Sequence, residues 1–116
     1  MLHCTVAFYG RASHQRKVEI RKAIAQLDQP APGSVIITGL DLFPERKRNL
    51  LVARLSVPPG WAILRDALVG RTGAAGAAPW APHVTLGKLR HPERFTVPSP
   101  PQIRFDNVRF DLQVYP

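Results

Sequence analysis

The chain has 116 residues, 45% of them apolar, a single cysteine, and 16 basic against 8 acidic residues for a net charge of +8. That length suits one globular domain over 1–116, the composition is too apolar for a disordered chain, and one cysteine excludes an internal disulfide. No apolar run approaches a membrane span and no signal-peptide pattern opens the chain, so a cytoplasmic protein without membrane attachment is expected.

Residues 2–9 (LHCTVAFY) read as a strand closed by Gly10. Ser13 is a suitable cap for a helix from about His14 to Asp28, with Val18, Ile20, Ile24 and Leu27 forming its apolar stripe. Pro30 to Gly33 ends that helix. Ser34 to Leu40 is β-branched and nearly continuous in apolar residues, as for a strand buried on both faces, and Asp41-Leu42-Phe43 can extend it. A polar turn through Arg46-Lys47-Arg48 joins it to a second strand, Leu50 to Val57, in a hairpin. That basic turn could touch a nucleic-acid backbone, but turns are commonly charged.

Pro58-Pro59-Gly60 leads into a short helix over Trp61 to Val69. Gly70 to Pro82 is rich in Gly and Ala, lacks periodicity, and reads as a mobile loop containing Trp80. His83 to Leu89 is the next strand. Ile103 to Tyr115 alternates with a change of phase near Asp106-Asn107, which predicts a bulge or turn there. The order β-α-β-β-α-β-β indicates an α+β sandwich with helices packed on antiparallel sheet.

Two short stretches repeat each other: His3-Cys4-Thr5-Val6 and His83-Val84-Thr85-Leu86. In a strand, residues i and i+2 share a face, so each stretch presents one imidazole and one hydroxyl together. Two such strands side by side would line a cleft with two histidines and two threonines. One histidine can take a proton, the other can give one, and the hydroxyls can hold phosphoryl oxygens. The next position on the cleft side is small both times, Ala7 and Gly87. His14 and His91 lack a threonine at this spacing and read as surface histidines. With one cysteine, no His-x-x-x-His pair and no carboxylates clustered near either motif, no metal site and no cofactor are expected.

These motifs resemble the 2H phosphoesterases, a family named for two His-x-Thr/Ser-x motifs and including RNA 2′,3′-cyclic phosphodiesterases, also called 2′-5′ RNA ligases. HCTV at 3–6 and PHVTL at 82–86 both fit, with His3 and His83 separated by 80 residues, and Pro82 is also common at that place in the family. The resemblance implies a two-lobed antiparallel β-sheet core with helices packed outside, the lobes related by a pseudo-two-fold and each supplying one motif strand. It implies catalytic roles for His3 and His83 and phosphate binding by Thr5 and Thr85. Tyr9 and Trp80 are candidates for stacking a substrate base. Many family members carry a strand and a helix before the first motif, so a compact version, an edge supplied by a partner chain as in a homodimer, or a truncated chain is expected here.

The activity so implied is a metal-independent phosphodiesterase acting on RNA or nucleotides, opening 2′,3′-cyclic phosphates to 2′-phosphates. Hydrolysis of 2′-5′ oligoadenylate or of cyclic oligonucleotides, as in viral or phage suppression of host immunity, uses the same equipment, as does the reverse joining reaction. From another class, a basic RNA-binding module without turnover fits the charge. That charge suits a polyanionic partner, although coding bias toward Arg, Pro and Ala gives the same balance.

Overall fold

A computed structural model describes residues 3–73 and 80–114. Its elements are α1 (His14–Ala25), β1 (Gly33–Phe43), β2 (Leu50–Ser56), α2 (Pro59–Thr72), β3 (His83–Lys88), a 3₁₀ turn at Pro92–Arg94, and β4 (Ile103–Val108). The strands form one four-stranded antiparallel sheet in the order β3-β2-β1-β4. The chain is thus α+β, with two helices and one curled sheet among the described residues.

Local chemistry explains the element ends. Ser13 caps α1 as the sequence predicts, its hydroxyl accepting from the Arg16 N–H at 3.1 Å. The helix ends at Ala25 rather than Asp28, because the N–H groups of Gln26 and Leu27 turn back in a tightened last turn to the carbonyls of Ala23 and Ile24. α2 starts earlier than expected, with Pro59 in its first turn, where a missing N–H costs nothing. It also runs later, through Thr72, and stops at Gly73 in the left-handed conformation (φ 64°), whose N–H bonds the Val69 carbonyl at 2.8 Å. Part of the stretch read as a mobile loop is therefore helix, residues 80–82 lead into β3, and 74–79 lie outside the described residues.

The register divides the sheet into two faces. On the back face lie Val35, Leu42 and Ala53, all buried, with Leu55 and Val84. The helices contribute Ile20, Trp61 and Leu68 to the core. On the front face, Asp41 and Phe43 of β1, Val52 and Arg54 of β2, and His83 and Thr85 of β3 are neighbours by register. A slip between Ile37 and Gly39, and another opposite Leu51 and Val52, bend the central strands and curl the sheet. β4 carries the irregularity foreseen near Asp106-Asn107: its register with β1 slips between Gly33 and Val35, and Asn107 has φ 56°.

The N-terminal segment departs from expectation. Residues 3–9 form no ladder but carry isolated bridges, at Cys4, paired antiparallel with Val84, and at Phe8. Side chains fix the segment instead. The Trp80 indole donates to the Thr5 carbonyl at 3.0 Å, and Arg65 Nε donates to the Val6 carbonyl at 3.4 Å. The Tyr9 hydroxyl lies 2.6 Å from Thr72 Oγ1. Thr72 spends its own hydrogen on the Leu68 carbonyl, so Tyr9 is the donor. Arg16 binds the Thr72 carbonyl and stands over the Tyr9 ring, placing a cation at the negative end of α2. No helix among the described residues is long and apolar enough to cross a membrane.

Candidate active site

The Cys4–Val84 bridge brings the two repeated motifs to adjacent segments of chain. The bridge is antiparallel and isolated: it pairs the middle residues of the motifs, Cys4 and Val84, and no ladder extends it to His3, Thr5, His83 or Thr85. Along β3, alternation places His83 and Thr85 on the face opposite Val84.

β3 is regular around its motif, so His83 and Thr85 have defined settings. Arg54 is the partner of His83 across β2 and β3, and Val52 is the partner of Thr85. His83 Nδ1 lies 2.7 Å from the Ala81 carbonyl oxygen. A carbonyl only accepts, so this bond requires the proton on Nδ1 and leaves Nε2 as the other ring nitrogen. The His83 ring also meets Phe43 edge-to-face, with centroids 4.7 Å apart. Thr85 is exposed, as are His3 and Thr5.

Behind the motifs, an open chamber of about 1060 Å³ lies between the helices and the back of the sheet. The segment 3–12, Trp80 and Val84 border it, whereas His83 and Thr85 do not. His3 and Thr5 of motif 1 therefore border the chamber, whereas His83 and Thr85 of motif 2 lie on the other face of the sheet. Tyr9 also borders the chamber, with its hydroxyl engaged by Thr72. Trp80 is half-buried and its indole N–H is engaged by Thr5.

Cys4 is half-buried behind the motifs. Burial pushes its thiol pKa up, against a smaller opposing effect of the His83 backbone N–H. His91 is exposed, with Nδ1 3.4 Å from Glu93 on the 3₁₀ turn. Among the described residues, no group of three or more His, Cys, Asp or Glu side chains is placed to hold a metal ion.

No protein-family model matches the sequence, and a search of curated proteins gives no match. In fold, the chain is similar to a solved crystal structure of a phosphoesterase. The two share 24% sequence identity and a TM-score of 0.58 over 89% of this chain and 62% of that one. The likeness is one of fold. This chain matches 62% of the length of that structure.

Sequence reading did not find the cluster around His83. Arg54 lies across from it, Phe43 lies against it, and Asp41 holds Arg54 by contacts of 2.7 Å from Nε and 2.6 Å from Nη2. The Arg54 guanidinium is 5.0 Å from the Phe43 ring centroid, so one aromatic ring contacts both His83 and Arg54. The available signal was an arginine in the middle of LLVARLS, an otherwise apolar strand.

Proposed function

We propose that the chain is a metal-independent phosphodiesterase acting on RNA-type phosphates, with His3 and His83 as the proton-transferring pair and Thr5 and Thr85 as phosphoryl-oxygen donors. The preferred reaction is the opening of a 2′,3′-cyclic phosphate to a 2′-phosphate. One histidine takes a proton from water as its oxygen bonds to phosphorus. The P–O3′ bond breaks, and the other histidine supplies a proton to O3′. The threonine hydroxyls donate to the non-bridging oxygens as charge builds on them. In the two-lobed arrangement implied by the motifs, each lobe gives one histidine and one threonine to this cleft.

The observation that carries this reading is the antiparallel bridge between Cys4 and Val84, which joins the two motifs at their middle residues. The Nδ1–H bond from His83 to Ala81 supports it further, since it leaves Nε2 for proton transfer. The likeness in fold to a protein called a phosphoesterase agrees with the same class of chemistry.

The test is hydrolysis of a 2′,3′-cyclic nucleotide and of 2′-5′ oligoadenylate in the presence of EDTA, for the native chain, His3→Ala and His83→Ala. Turnover in the native chain, lost at least a hundredfold in both variants, is the expected result. Undiminished turnover in either variant overturns the two-histidine mechanism. Binding of RNA without turnover of these compounds or of cyclic oligonucleotides makes the chain a binding module.

A further inference from the structure

We propose that Arg54 is a substrate-binding residue of this site, its guanidinium holding a phosphoryl oxygen in competition with the Asp41 carboxylate; the proposal rests on the phosphodiesterase reading above. Two imidazoles and two hydroxyls suit proton transfer and hydrogen bonding, yet a phosphodiester carries a full negative charge. A fixed cation beside the reacting phosphate strengthens both its capture and the stabilisation of its transition state.

Arg54 meets the requirements of that role. It is the cross-strand partner of His83 and lies on the same sheet face. Phe43 fixes the two relative to each other, with its ring centroid 4.7 Å from the His83 ring and 5.0 Å from the Arg54 guanidinium carbon. Both contacts to Asp41 fall on one carboxylate oxygen and use Nε and Nη2. The planar fork has five N–H donors, so this pairing does not exhaust it. The arginine side chain is 48% exposed, so a ligand on the front face can reach it.

The bland alternative is that Arg54 simply ties β2 to β1 through Asp41. The two roles differ in the sign of one effect. For a phosphate-binding Arg54, removing the carboxylate that competes for it improves binding. For a purely structural Arg54, removing either partner costs stability and leaves the affinity of the folded protein unchanged.

The experiment titrates adenosine 2′-phosphate into the native chain, Arg54→Ala, Arg54→Lys and Asp41→Asn, with a thermal melt of each to establish folding. The expected result is affinity about tenfold weaker in Arg54→Ala, roughly threefold weaker in Arg54→Lys, and roughly two- to fivefold tighter in Asp41→Asn. Equal affinity in the native chain and folded Arg54→Ala overturns the proposal, as does weaker binding in folded Asp41→Asn or no binding by the native chain. Turnover measured alongside keeps the two claims apart. Loss in His3→Ala and His83→Ala with an indifferent Arg54 upholds the phosphodiesterase reading while Arg54 fails. Full turnover in the histidine variants sinks that reading, whatever Arg54 binds.

Discussion

The indole N–H of Trp80 donates to the backbone carbonyl of Thr5 across 75 residues of sequence. It ties the chain just ahead of the second motif to the middle of the first. A segment held by isolated bridges rather than a ladder depends on such side-chain bonds to stay in place.

Trp80→Phe keeps much of the ring and removes the donor. The expected cost is about 1 kcal/mol in denaturant unfolding. Hydrogen exchange should quicken selectively across residues 4–9 while β1 and β2 stay protected. Uniform exchange throughout the chain would show that Trp80 does not hold the first motif.

Val52 is fully buried although it lies on the front face, where Phe43, Arg54 and His83 gather. Val52→Ala should cost about 2 kcal/mol from lost transfer energy and the cavity left behind. Val52 is the cross-strand partner of Thr85, two residues from His83 on the same face, so the His83 ring resonances in an NMR spectrum should shift as well. A loss below about 0.5 kcal/mol would mean that the front face repacks freely.

Much of this architecture was legible in the sequence, and the illegible parts share a cause. The Ser13 cap, the β1–β2 hairpin, the motif strand at His83 and the break near Asp106-Asn107 follow from periodicity and local turn chemistry. Residues 2–9 have strand-like alternation, yet a ladder needs a partner edge along its length, and bonds from Trp80 and Arg65 take up carbonyls there instead. The second helix passes through Gly70, a poor helix former, to a better stop at Gly73. Of the candidate site, the two motifs were readable as a repeat. The setting of His83 was not, because Phe43, Arg54 and Asp41 reach it through strand register, which no local pattern encodes.

Asn107 occupies the left-handed region at φ 56°, where a side chain with a Cβ pays a steric cost that Asn and Gly tolerate best. Asn107→Ala should destabilise the chain by about 1 kcal/mol, and Asn107→Gly should be neutral within about 0.5 kcal/mol. Thermal melts of the pair check this. Equal effects of the two substitutions would remove the conformational explanation of the β4 slip.

The carboxyl of Asp41 is held below the usual carboxylate pKa, first by the hydrogen bond from Arg54 and then by the Leu42 N–H. Asp106 is lowered likewise by Arg104 and then Ser34. For both, the unfolded chain binds the proton more readily than the folded one. Their stabilising effect is therefore complete above the unfolded carboxylate pKa near 4 and is lost as the pH falls through the lower folded values. Melting temperatures between about pH 5 and pH 2 should fall more steeply in the native chain than in Asp41→Asn. Raised salt should shrink the difference, since the Arg54 and Arg104 side chains are 48% and 65% exposed. Parallel curves at low salt would detach Asp41 from acid sensitivity.

The place of Cys4 has a kinetic consequence. It is the one thiol of the chain, and it occupies the middle of the first motif with its sulfur turned into the half-buried side of the bridge to Val84. A thiol reagent can approach from the chamber that Cys4 borders, but it needs the sulfur ionised, which burial disfavours. The rate of Cys4 modification therefore reports on the surroundings of the first motif. A ligand that covers that motif should slow the modification without touching the sulfur.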